Sequence, residues 1–559
     1  MAVGEMINSR RSTMVGTLEK IGWGRPQWSL FKFTLIGAAA FVGVLILIVP
    51  AYLLIRMAGS GTEALDTFAQ PRTWQVLGNT LLLSGSVTVA TAVLAIPLAW
   101  LTTATDLPGK RIWAVLLALP LVIPSYVAAF LFASVLTPKG LLQQLLHPLF
   151  GIEKLPDFYG FPGAFFVLTL IAYPYTFLTV RAALVKMDPA LVEVARSLGQ
   201  TPWQAFHRIT LPYLKPSILA GSLLVALYTL RDFGAVTMLQ YSTFTRIIYN
   251  RYLGYKLDTA AAMALVLVVI TAVFLTLEHH SRGKTRYARA SIGVARQQQP
   301  MPLGKFKIPA LAFMSSVVFV ALIVPMGGLI YWFGRGWRQD WLVSDLSAPH
   351  SNVESLINLV EPAFNSVTAS ALGAMLAITF ALPITILAVR YAGKVGGFFE
   401  RLTYASYALP GIVVALAYVS FGTQYARPLY QTLPMLLAAY VILFIPQAVG
   451  AERTALLQVS TSIEEAGRSL GKRPFAVFRH ITLPLVRSGI ITGGALVFLT
   501  CMKELPATLI LSPLGFNTLA AEVWSNINEA FFARAAAPTL LLLLLSSVPL
   551  ALLTLKERE

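Results

Sequence analysis

Apolar runs recur along almost the whole chain, broken by short polar stretches. A helix of about 20 apolar residues crosses the roughly 30 Å hydrocarbon core of a bilayer. On that measure the sequence predicts about twelve transmembrane helices. They fall at 33–56, 76–102, 112–136, 163–182, 214–233, 258–278, 308–332, 364–389, 402–421, 431–453, 486–504 and 535–555. The expected fold is therefore an all-α membrane protein.

One polar break occurs twice. EVARSLGQTPWQAFHRITLP, Glu193 to Pro212, returns as EAGRSLGKRPFAVFRHITLP, Glu465 to Pro484, with 11 of 20 positions identical at a shift of 272. The same shift pairs Pro174 with Pro446, Arg181 with Arg453 and Phe244 with Phe516, whereas a shift of 286 pairs Asn79 with Asn365, Pro97 with Pro383 and Pro124 with Pro410. The first copy thus holds 14 extra residues between Pro124 and Pro174, where 137–162 reads as an external loop. Two parallel six-helix repeats imply a pseudo-two-fold axis along the membrane normal, with a pathway between the halves. The expected divisions are a tail 1–32, a first repeat 33–278, a linker 279–307 and a second repeat 308–559.

Composition agrees: 56% of the 559 residues are hydrophobic and 12% charged, against about 25% charged in soluble domains. The net charge of +18 matters through its placement. The tail carries Arg10, Arg11, Lys20, Arg25 and Lys32 against two acids, and the linker has seven bases and no acid. Loop 333–363 carries Asp340, Asp345, Glu354 and Glu361 against Arg335 and Arg338. Tail and linker are therefore expected in the cytoplasm, as are both termini, with loop 333–363 outside. The tail and first span are too long for a cleaved signal peptide. No basic segment belongs to a recognisable nucleic-acid module. Cys501 is the only cysteine, and the six histidines show no metal-site spacing.

Within the repeated break, LVEVARSL reads as a short helix closed by Gly199 in the left-handed conformation. A second helix follows, capped by Thr201, with Pro202 in its first turn and Gln204 completing a capping box. The second copy keeps Gly471 and Pro474 but has Arg473 at the cap position, so its cap is expected to be weaker. Interfacial anchoring alone does not require identical Glu, Gly and Leu-Pro spacing twice; docking a partner at two related sites does.

Both copies match EAA-x3-G-x9-I-x-LP, and the chain here resembles the permease subunits of ATP-binding-cassette importers. The matching residues are Glu193, Ala195, Gly199, Ile209, Leu211 and Pro212, then Glu465, Ala466, Gly471, Ile481, Leu483 and Pro484, with departures at Val194 and Gly467. The resemblance covers nearly the whole chain. Stretches such as RDFGAVTMLQYSTFTRIIY and CMKELPATLILSPLGFNTLAAEVW look closest to the fused, two-copy permeases for ferric iron; thiamine and organophosphonate are the alternative cargoes. It implies the type I importer permease fold in the bacterial cytoplasmic membrane. It also implies two copies of an ATPase subunit docked on the loops, and an external binding protein that delivers substrate. The chain is then not an enzyme and binds no cofactor; ATP and Mg belong to the partner. Its only GKT, Gly283 to Thr285, has Glu278 where a Walker motif needs glycine. A gradient-driven secondary transporter is the rival class, and the twin loops argue against it.

Charge inside a span costs about 2.5–3.5 kcal/mol on insertion scales. Asp232 and Glu504 are equivalent under the 272 shift, each directly after a base, Arg231 and Lys503. One reading makes them transient ligands of a hard ferric ion, with Tyr228 adding an oxygen from one turn earlier. The other makes them structural partners of neighbouring groups. The sequence leaves both open.

Overall fold

The computed structural model describes residues 25–59, 62–188, 190–281, 301–342, 357–391 and 393–556. The basic clusters of the tail and linker and the acids of loop 333–363, on which the expected sidedness rests, lie largely outside them. Among the described residues eleven helices are long and apolar enough to cross a membrane, twelve if one bent pair counts as a single crossing. The described residues are otherwise turns and short helices, with one isolated bridge among them, between Thr105 and Met301.

Two of the expected spans are broken. In place of one helix over 112–136, Lys110–Ala118 runs through a tight turn at Leu119–Val122 and restarts as Ser125–Leu136. In place of 402–421, Lys394–Ala405 ends at Ser406–Ala408 and Gly411–Tyr425 departs at 106°. The equivalent Pro124 and Pro410 stand at the two breaks. Proline lacks an N–H and pushes the preceding residue out of the helical region; Ile123 and Leu409 are accordingly extended, with ψ 120° and 110°. The other repeated prolines, Pro97 with Pro383 and Pro174 with Pro446, stay inside continuous helices.

Each repeat is built on a tight triad. Pro71–Ala104, Phe161–Lys186 and Leu211–Arg231 pack together in the first, and Val360–Arg390, Leu433–Gln458 and Leu483–Met502 in the second. The first helix of each repeat packs elsewhere. Arg25–Gly59 lies against Val360–Arg390 and Gly411–Tyr425 of the second repeat, where Tyr418 donates to the carbonyl of Leu45 at 3.2 Å. Reciprocally, Val324–Leu342 lies against Ser125–Leu136 of the first repeat. The two hydrophobic cores follow this exchange: one joins Leu35, Val42 and Leu53 to second-repeat residues, the other joins Met314, Ala321 and Leu329 to first-repeat residues.

The insertion expected as a loop at 137–162 contains a helix, Leu141–Phe150, closed by the left-handed Gly151. At the opposite end of the molecule, the end of the linker is tied to the first repeat. Asp106 accepts from the Leu303 N–H at 2.9 Å and pairs with Lys307 at 2.7 Å. The Lys307 hydrogen bond, then that of Leu303, holds the Asp106 carboxyl below its ordinary pKa.

Candidate functional site: two loops and a central polar layer

The repeated loops lie at the end of the molecule that carries Asp106. In the first, Ala190–Ser197 closes at Gly199, which has φ +83°. Its N–H donates to Arg196 O at 3.0 Å, and that of Gln200 to Ala195 O at 3.1 Å. The capping box is present: Gln204 N–H donates to Thr201 Oγ1 at 3.3 Å, and Thr201 N–H to Gln204 Oε1 at 3.0 Å. In the second loop Thr461–Ser469 closes at Gly471, φ +80°, and Arg473 makes no side-chain cap bond. In both copies a wide π turn follows, Phe206–Thr210 and Phe478–Thr482, leading into the helices that begin at Leu211-Pro212 and Leu483-Pro484. Pro212 and Pro484 have no N–H for the normal helical bond, which suits a locally widened turn.

Glu193 and Glu465 are exposed, as a docking residue must be, and Ala195 is buried. The alanines that match the motif stand at different positions in the two copies: Ala466, opposite Val194, is exposed, whereas Gly467, the departure opposite Ala195, is buried like Ala195. A Cβ on Gly467 would stand 2.5 Å from Ile481 Cδ1, so an alanine here would require the tip of the Ile481 side chain to move aside. Sequence reasoning also missed Glu464, whose carboxylate is buried. Arg390 Nε donates to it at 3.1 Å, and the Thr482 hydroxyl donates at 3.0 Å. Arg390 Nη2 also donates to the carbonyls of Leu456 and Val459, at 3.2 and 2.9 Å. A cavity of about 100 Å³ adjoins this cluster, lined in part by Phe31 and Phe478.

Near the other end, Asp232 and Glu504 follow the last turns of Leu211–Arg231 and Leu483–Met502 and are 7% and 9% exposed. Asp232 Oδ1 accepts the N–H groups of Ala235 and Val236 at 3.0 and 3.3 Å. Glu504 Oε1 accepts that of Ala507 at 3.1 Å, and Oε2 that of Thr508 at 3.0 Å. Each carboxylate therefore caps a short helix, Gly234–Met238 or Pro506–Leu511, an arrangement that compensates a buried anion. These short helices press on the broken spans. A Cβ on Gly234 would meet Tyr126 Cβ at 2.8 Å, and one on Gly411 would meet Glu504 Oε1 at 2.5 Å. The glycine has changed sides: Gly234 faces Ser125 in one repeat, Pro506 faces Gly411 in the other.

The bases stand differently. Lys503 crosses to the first repeat and donates to the Leu121 carbonyl at 2.9 Å. Arg231 is within electrostatic reach of Tyr407 and Glu504 of the second repeat and of Tyr175. The repeat shifts pair Leu121 with Tyr407, Tyr175 with Gln447, Tyr228 with Thr500 and Arg231 with Lys503. All eight are half-buried, although their helical neighbours are mostly buried. The Tyr175 and Tyr228 rings lie 5.5 Å apart, tilted by 45°, and Thr500 Oγ1 donates to Gln447 Oε1 at 3.2 Å. They form a polar layer around the pseudo-axis, where the two repeats meet. Among the described residues no group of three or more His, Cys, Asp and Glu side chains is placed to hold a metal ion. The sequence reading also passed over Glu452, buried within Leu433–Gln458, which accepts from Thr385 Oγ1 at 3.3 Å.

A two-fold helical bundle with broken spans, matched loops at one end and a polar layer on its axis defines a membrane transport subunit. Residues 93–286 and 358–558 each match the family described as binding-protein-dependent transport system inner membrane component, and the chain belongs to that family. It is 35% identical over 532 residues to the Fe(3+)-transport system permease protein FbpB 2 of Haemophilus influenzae, covering 94% of this chain and 98% of that one. It is 24% identical to the ferric transport system permease protein FbpB of Actinobacillus pleuropneumoniae, over 84% of this chain and 71% of that one. The sulfate transport system permease protein CysT of Escherichia coli is 27% identical over 270 residues, 47% of this chain and 95% of CysT. A relative of that length matches one repeat.

Proposed function

We propose that this chain is the complete membrane pathway of an ATP-driven importer, carrying ferric iron delivered by an external binding protein. The observation that carries the cargo assignment is the identity, along nearly its full length, to a permease named for Fe(3+) transport. Two copies of a separate ATPase subunit dock on the loops around Glu193 and Gly199 and around Glu465 and Gly471, with Ile209, Leu211 and Pro212 and their equivalents Ile481, Leu483 and Pro484 fixing the elbow behind them. ATP and Mg are used by that partner. The loops face the cytoplasm of the cell whose inner membrane holds the protein, as do both termini, and the linker joins the repeats on the same side. Asp232 and Glu504 act at the pathway through the helices they cap, and Tyr228 through its place in the polar layer.

The test is uptake of radioactive iron into proteoliposomes holding this chain, its ATPase and the iron-loaded binding protein. Iron should accumulate only with ATP and all three components. Uptake driven by an ion gradient without the ATPase would overturn the reading. Uptake of sulfate, thiamine or a phosphonate in place of iron would overturn the cargo alone.

A further inference from the structure

The central layer has an unexpected sign. A ferric ion is a hard trivalent cation and favours anionic oxygen. Yet the two carboxylates nearest the axis accept backbone N–H groups of their own short helices, and both are buried behind the layer. The two charged groups that are half-exposed there are cations, one from each repeat. Lys503 gives a donor to Leu121 O and has others left; Arg231 keeps a five-donor fork beside phenols. Beside Arg231 stand the Tyr407 and Tyr175 hydroxyls and the Glu504 carboxylate, whose two oxygens already accept the Ala507 and Thr508 N–H groups; Tyr228 lies against Tyr175. A bare trivalent cation entering this layer would meet two half-exposed like charges, while the carboxylates near it are buried and already hydrogen-bonded to their own helices, and in poorly solvated surroundings that repulsion is strong. An oxyanion would meet a guanidinium fork, an ammonium and hydroxyl donors, the set that recognises phosphate and carboxylate groups.

We infer that iron crosses this layer as a complex with an oxyanion, whose oxygens Arg231 and Lys503 recognise. This rests on the ferric-import reading above and adds the chemical form of the cargo.

The two forms predict opposite signs. For a bare cation, neutralising the bases removes a barrier and uptake rises. For an oxyanion complex, Arg231→Gln with Lys503→Gln should lower uptake about tenfold or more, since each hydrogen bond to a charged group contributes about 1.5–3 kcal/mol. Charge-preserving Arg231→Lys and Lys503→Arg should retain most of it. Melting temperature and recovery of the ATPase complex separate this loss from misfolding. A second measurement needs no variant. The unaltered complex is supplied with binding protein loaded with iron together with radiolabelled orthophosphate or, in a parallel arm, radiolabelled citrate. One label should enter in proportion to iron, and which one does so identifies the oxyanion. The inference is overturned if iron enters with neither label, or if the doubly neutral variant transports at or above the unaltered rate. Absence of ATP-driven iron uptake by the unaltered complex is a different result: it removes the ferric reading itself, and this inference with it.

Discussion

The two repeated loops have the same backbone and are held by different chemistry. Both close a short helix on a glycine near φ +80° and continue through a π turn into a Leu-Pro elbow. The first is fastened by the local Thr201–Gln204 box and by Phe206, whose ring lies 6.0 Å from those of the nearby Trp203 and of Trp100 on Pro71–Ala104. The second lacks the box and is fastened at long range. Arg390, at the end of Val360–Arg390, holds Glu464, and Phe31 from the first helix of the other repeat packs on Phe475 and Phe478 at 6.4 and 6.2 Å. In the first repeat the positions of Arg390 and Glu464 are Ala104 and Val192. A repeat thus preserves a docking shape while its supports drift independently.

The largest expected break is in the second loop alone. Arg390→Gln leaves the buried Glu464 carboxylate with only the longer pairing to Arg468, at 3.8 Å, so the cost should approach but not reach the roughly 3–5 kcal/mol of a broken buried pair. Melting temperature and ATP-driven uptake should both fall, and adding Glu464→Gln should restore part of each. The equivalent Ala104→Gln should do far less. Equal melting of the unaltered protein and Arg390→Gln would show that the pair does not hold the loop.

A smaller effect should strike both loops alike. At Gly199 and Gly471 a Cβ would meet nothing within 4 Å, so Gly199→Val and Gly471→Val act through backbone conformation only, at about 1–2 kcal/mol each. The protein should still insert, while copurification with the ATPase and uptake decline; asparagine, which tolerates the left-handed region, should be milder. Unchanged copurification and uptake in the double valine variant would remove the case for these loops as the docking surface.

The smallest effect exchanges the caps. Thr201→Ala should cost about 1 kcal/mol and speed amide exchange at Gln204, whereas Arg473→Thr should slow exchange in the second loop. If both loops respond to neither change, capping is not what distinguishes them.

Much of this was legible because it is local. The left-handed glycines, the capping box and the missing cap at Arg473 each follow from a few consecutive residues. The double repeat was legible because two constant shifts, 272 and 286, run through both copies, and the first of them already puts Gly467 opposite Ala195. Glu464 was not legible: beside Glu465 it looks like a second surface acid, and its partner lies 74 positions away. Nor were the breaks at Pro124 and Pro410, since Pro97 and Pro174 look alike in sequence and sit in unbroken helices. Asp232 and Glu504 were found as charges near the ends of spans, but their role depended on the short helices after them, which are too brief to leave a periodic pattern. The exchange of first helices between repeats leaves no sequence signature, because a helix apolar on every side does not declare which neighbour it will choose.

That exchange also sets an order of events during synthesis. Leu45 and Tyr418 are 373 positions apart, and at about 5–20 residues per second a ribosome needs on the order of tens of seconds to cover that distance. Until then the first helix has its backbone bonds satisfied and its first-repeat neighbour Leu257–Ser281 beside it, while its second-repeat neighbours are not yet made. The second repeat, once translated, finds that helix already waiting in the bilayer on the same chain. Joining the repeats in one polypeptide therefore keeps this late assembly step intramolecular, so that it does not depend on how much of a separate partner the cell has produced.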